Sequence, residues 1–142
     1  MNISKTGPVI LVEDNPHDLD VIVAALIENG VKNQIKFFDN AASALQYLQE
    51  TSDQPFIILC DIRMKGMNGL EFRNTINAND FLRKKAIPFV FLTGAVSQGI
   101  VDEAYDLTVQ GFIEKPMHFN ELKTVLGKIF DYWQCCLHPN SF

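Results

Sequence analysis

Pro8-Val9-Ile10-Leu11-Val12 offers no polar residue to water on either side, so as a strand it has to lie in a sheet covered on both faces. The next segment changes period. Leu19, Ile22, Val23, Leu26 and Ile27 fall at helical spacing, with Pro16 near the start and Gly30 at the end, which predicts an amphipathic helix. The alternation then repeats. Gln34-Ile35-Lys36-Phe37-Phe38 reads as a shorter strand at a sheet edge, before a helix that Asn40 can cap and whose Ala41, Ala44, Leu45 and Leu48 share a face. Pro55-Phe56-Ile57-Ile58-Leu59-Cys60 is a third strand buried on both faces. A weaker helix over 69–79 carries Leu70, Phe72 and Ile76, and Asn77, Asn79 and Asp80 mark its frayed exit. Strands over 87–92 and 109–114 follow, each with a helix behind it: one over 97–107, the other around Leu122, Leu126, Ile129, Phe130 and Trp133.

Parallel strands need crossovers, and right-handed crossovers through helices cover both faces of a sheet. Five strand-helix units therefore predict an α/β fold, a single doubly wound domain with a five-stranded parallel sheet of order 2-1-3-4-5. In such sheets chemistry gathers beyond the carboxyl ends of the strands where the order reverses, here at strands one and three. The 142 residues suit one domain, expected over 1–134 with a short tail at 135–142.

The formal charge of −5 and a lone basic run, Arg83-Lys84-Lys85, speak against nucleic-acid binding; that run is expected as a solvated loop before the fourth strand. No stretch reaches the ~18 consecutive apolar residues of a membrane span, and no signal-peptide pattern follows Met1, so a cytoplasmic protein without membrane contact is expected. Cys60 reads as a small buried residue. Cys135 and Cys136 are adjacent in the tail, which is not the four-ligand spacing of a zinc site, and His17, His118 and His138 are expected at the surface.

The polar residues at the strand exits carry the chemistry. Strand one ends in Glu13-Asp14, strand three in Asp61, strand four in Thr93 and strand five in Glu114-Lys115-Pro116. Three carboxylates brought together repel unless protons or a cation offset them, and an all-oxygen set suits a hard ion such as Mg²⁺.

This order of residues, with Lys115 22 positions after Thr93 and Phe112 three before Lys115, resembles the response-regulator receiver family from the first strand to about Trp133. The resemblance implies a flavodoxin-like (βα)5 fold and a two-component or phosphorelay role. Asp61 becomes the phosphoacceptor, with Thr93 and Lys115 meeting phosphoryl oxygens. Asp14 and Asp61 become direct Mg²⁺ ligands, Glu13 one through water, and the backbone carbonyl of Arg63 a further ligand. Thr93 and Phe112 become the switch pair that alters the surface of the fourth helix, fifth strand and fifth helix. The partners implied are a sensor histidine kinase or histidine phosphotransfer protein and a downstream protein target, with a homodimer through the same face. Lys65 stands where the family usually has Pro, which bears on loop rigidity, and Gly94 after Thr93 leaves the acyl phosphate open to water or to a phosphatase. The Arg63 side chain is expected in solvent.

Such a chain is not an enzyme in the ordinary sense; it catalyses its own phosphorylation and dephosphorylation. A haloacid-dehalogenase-type phosphatase would need an acid-base aspartate two residues after Asp61, where Arg63 stands. A flavin site would need a hydroxyl- and glycine-rich loop in place of Glu13-Asp14-Asn15-Pro16. The alternative kept open is an interaction module with a receiver fold that signals without phosphorylation.

Overall fold

The computed structural model describes residues 3–138. Along the chain run α1 (Ile3–Thr6), β1 (Val9–Val12), α2 (Pro16–Glu28), β2 (Ile35–Phe38), α3 (Ala41–Glu50), β3 (Ile57–Cys60), α4 (Gly69–Ala78), α5 (Asp80–Lys84), β4 (Phe89–Thr93), α6 (Gln98–Asp106), β5 (Gly111–Glu114) and α7 (Phe119–Cys135). The strands form one parallel sheet of order β2-β1-β3-β4-β5, as the alternation predicts.

The sheet buries both faces, and the period-two geometry of its strands sorts the core into halves. Ile10, Val12, Ile58, Cys60, Phe89 and Phe91 point towards α3, α4, α5 and α6. Val9, Leu11, Ile57, Leu59, Val90 and Leu92 point the other way, onto α2 and α7. A central strand without polar residues is therefore the only sequence that fits between the two layers.

Local signals fix where the helices begin. Asn15 and Asn40 cap α2 and α3 by accepting from Asp18 N–H and Ser43 N–H. Asn68 and Glu71 form a capping box that starts α4 just past the end of β3. Gly69 is the one residue that this start admits, since a Cβ there would lie 2.2 Å from the carbonyl oxygen of Asp61. The backbone that carries Asp61 is thereby wedged against a helix.

Four expectations need correction. Arg83 and Lys84 are exposed as expected, but in α5 rather than in a loop; Asn79 caps that helix by accepting from Leu82 N–H, and the helix buries Leu82. The Asn-rich exit of α4 is thus a junction between helices, because Asn79 ends one and starts the next. His138 is not at the surface; it is 4% exposed and packs beside the rings of Phe56 and Trp133. The short α1 is also absent from the sequence reading, because four residues hold too little periodicity to register. His17 and His118 are exposed and Cys60 is buried, as expected, whereas Cys135 is the last residue of α7 rather than part of the tail.

Candidate functional site

The carboxyl ends of β1, β3, β4 and β5 deliver Glu13, Asp61, Thr93 and Lys115 to one spot. Lys115 N–H donates to Thr93 O and Asp61 N–H to Val12 O, so the sheet ladder itself extends under these residues. The Lys115 ammonium occupies the centre. It donates to Glu13 Oε1 at 2.6 Å, Asp18 Oδ2 at 2.8 Å and Asp61 Oδ2 at 2.9 Å. The other oxygen of Asp61 accepts from Ile62 N–H at 2.7 Å and from the Thr93 hydroxyl through a short hydrogen bond. Thr93 Oγ1 accepts in turn from Ala95 N–H at 3.1 Å, which orients the hydroxyl proton towards Asp61.

These contacts divide the charges unevenly. Burial pushes the Glu13 carboxyl up to about 7, against the pull of Lys115, and the charge on Asp61 adds to the rise. Burial opposes the charge on Asp61 too, but the hydrogen bonds from Thr93, Lys115 and Ile62 more than offset it and hold that carboxyl below its ordinary value. Lys115 likewise pays a burial cost that its three carboxylate partners overcome, so its ammonium is held above its ordinary value. The Cys60 thiol lies beside the site, donating to Asp61 O at 3.0 Å, and burial pushes its pKa up, which keeps it un-ionised and unreactive.

Asp14 follows a different path. Its Oδ2 accepts from Lys65 N–H at 3.1 Å, which ties the loop after β3 to the end of β1. Gly66, with φ +76°, lets that loop turn back in a left-handed conformation next to Lys65. Arg63 is exposed, as expected. Phe112 is half-buried on β5, with its ring 6.0 Å from that of Phe91. Asp18, which the sequence reading passes over, joins the cluster because α2 begins so soon after β1 that its first turn faces the strand ends.

No three His, Cys, Asp or Glu residues among those described are arranged as a ready metal cage, since Lys115 holds the central place and Lys65 engages Asp14. The donor chemistry nonetheless fits a hard divalent cation: Glu13, Asp14 and Asp61 offer only oxygen. One ammonium serves three carboxylates, and it is not enough to offset the burial that raises Glu13.

The sequence pattern of the response regulator receiver domain matches residues 9–127. The chain belongs to the response-regulator receiver family. It is 31% identical over 129 residues to a probable methanogenesis regulatory protein, FilR2, of Methanothrix harundinacea, covering 88% of this chain and 82% of that one. Its fold is similar to the crystal structure of the phosphorylated cyanobacterial phytochrome response regulator RcpA, with a TM-score of 0.82 and 25% identity over 93% of this chain and 96% of that chain. The Mn²⁺-bound form of the response regulator Rcp1 has the same fold, with a TM-score of 0.79 and 22% identity over 93% of this chain and 97% of that one. Receiver domains are regulatory modules of two-component signalling, and this chain is one of them. Among the described residues no helix is long and apolar enough to cross a membrane.

Proposed function

We propose that residues 1–134 of this chain act as the receiver switch, with 135–142 following it, and that Asp61 takes a phosphoryl group from a histidine kinase or histidine phosphotransfer protein in the cytoplasm. The observation that carries this reading is the arrangement around Asp61: a carboxylate kept ionised by Thr93, Ile62 and Lys115, at the mouth of a site where an ammonium stands ready.

The step is an in-line displacement. A lone pair of Asp61 attacks phosphorus, the nitrogen–phosphorus bond to the donor histidine breaks, and the imidazole recovers the electron pair. Ile62 N–H and the Thr93 hydroxyl fix the orientation of the attacking carboxylate. Lys115, already beside Asp61 Oδ2, offsets the negative charge that an incoming phosphoryl group brings. Glu13, Asp14, Asp61 and the carbonyl of Arg63 would hold a divalent cation, Mg²⁺ in the cell, and the bound cation supplies further charge compensation for the phosphoryl oxygens. The product is an acyl phosphate. The absence of a side chain at Gly94, where a Cβ would meet nothing within 4 Å, leaves it accessible to water.

Output follows from Thr93 and Phe112. As the hydroxyl turns from Asp61 to a phosphoryl oxygen, the space it leaves admits the Phe112 ring, and the surface of α6, β5 and α7 changes. Tyr105 on α6 and Met117 after β5 already stand exposed there for a protein target or a second copy of the chain to read. The test is intact-protein mass after incubation with acetyl phosphate and Mg²⁺. The expected result is a gain of one phosphoryl group by the wild type and none by Asp61→Ala; a protein that stays unmodified under trapping conditions would instead favour a module that signals without phosphorylation.

A further inference from the structure

Lys115 donates its three protons to three carboxylates, so a divalent cation that takes the oxygens now facing the ammonium, Glu13 Oε1 and Asp61 Oδ2, displaces it from two of its partners. A half-buried ammonium stripped in this way would have to be hydrated or re-paired at a cost. We propose that Asp18 is the standby partner of Lys115, the carboxylate that keeps the ammonium while a divalent cation replaces it at Glu13 and Asp61. This rests on the metal-dependent switch argued above and assigns a positioning role to a residue outside the family's acceptor and ligand set.

Asp18 differs from the other two carboxylates in origin and in depth. Glu13 and Asp61 leave the ends of strands, and their side chains are 1% and 10% exposed; Asp18 rises from the first turn of α2 and its side chain is 38% exposed. The ammonium therefore bridges a buried pair and a rim carboxylate. A cavity of about 50 Å³ lies on the Asp18 side of the lysine, lined by Asp18, Val21, Ile22, Lys115, Pro116 and Leu122. That space gives the ammonium room beside Asp18, and it is large enough to hold a water. The backbone under Asp18 is fixed, because its N–H donates to Asn15 Oδ1 at 3.0 Å, so Asp18 offers a stationary post.

Asp18 has a simpler use that needs no lysine: an acid in the first turn of a helix is favoured by the partial positive charge there. The two roles separate in a double-mutant cycle on Mg²⁺ affinity, measured by calorimetry on the unphosphorylated full chain without any phosphodonor. Asp18→Asn is expected to weaken Mg²⁺ about tenfold when Lys115 is present, because the ammonium then clings to Glu13 and Asp61, and less than about threefold in a Lys115→Ala background. Asp18→Glu, which keeps the carboxylate, is expected to retain affinity within about threefold of wild type. Equal losses in the two backgrounds would mean that Asp18 acts merely as a nearby charge and would overturn the proposal, as would an unchanged affinity in Asp18→Asn. A wild type that binds no Mg²⁺ would instead remove the metal-dependent reading itself, and this proposal with it.

Discussion

The two ends of the sheet each bury a cation, and they treat it in opposite ways. At the carboxyl end Lys115 sits among Glu13, Asp18 and Asp61, all of them side chains and all able to change partner. At the amino end Arg73 of α4 is 7% exposed and has no carboxylate within ion-pair distance among the described residues. Its guanidinium donates instead to the carbonyls of Leu107 and Thr108, where α6 gives way to β5, and lies over the ring of Phe89. Thr108, with φ +59°, is bent into the left-handed region to present its carbonyl there, a strained conformation for a β-branched residue. Backbone carbonyls cannot leave. A cation that they satisfy is a clamp, whereas a cation shared by side-chain carboxylates can be exchanged for another charge.

Three experiments bear on this contrast. Lys115→Ala is expected to slow phosphorylation by acetyl phosphate about a hundredfold, the usual cost of one charge-stabilising donor, while leaving the thermal midpoint near that of wild type. A large fall in stability with little loss of rate would make Lys115 the clamp and break the comparison. Arg73→Met keeps the length of the stem but takes the charged donor from both carbonyls, leaving Thr108 O with Gln110 and Leu107 O with Asn77 and the Thr108 hydroxyl, and is expected to cost about 2 kcal/mol in urea denaturation with the phosphorylation rate within about twofold.

The third concerns pH. The Glu13 carboxyl is raised by burial from 4.5 to about 7, so its contribution to stability is fully present below pH 4.5 and is lost as pH rises towards 7. The lowered carboxyl of Asp61 has the opposite sign: its contribution is present above its ordinary 3.8 and is lost as pH falls below that. In metal-free melts Glu13→Gln is therefore expected to gain on the wild type between pH 5 and pH 8, with the difference growing as pH rises. A difference that stays flat over that range would show Lys115 to be holding Glu13 ionised throughout.

That the sheet is covered on both faces was readable because the central strands hold no polar residue, and the order 2-1-3-4-5 was the natural candidate among doubly wound sheets that brings the polar strand ends together. The helix starts were readable where a single side chain decides them, as Asn40 does. Of the site, the residues at strand ends could be read: Glu13, Asp61, Thr93 and Lys115 do meet, because parallel strands all exit at the same edge. What lies off the strands was harder. Asp18 lies on α2 and not at a strand end, and the available signal was an acid one helical turn beyond Asp14, on a helix that starts beside the site. Arg73 stands three residues after Leu70 and three before Ile76, on the apolar face of its helix, so its burial could have been foreseen, though not its carbonyl partners. His138 was misplaced because a lone polar residue after a helix reads as exposed. Its packing depends on Phe56, 82 positions earlier, and on Trp133, which no local pattern connects.

Asp61 is the proposed acceptor of the phosphoryl group. The direct measurement is to treat the protein with acetyl phosphate and Mg²⁺, reduce it with borohydride, which converts an aspartyl phosphate to homoserine, and map the change by peptide mass. Homoserine at position 61, lost when Mg²⁺ is withheld, is the predicted result; reduction at Glu13, Asp14 or Asp18 in place of Asp61, or at none of them, would contradict it.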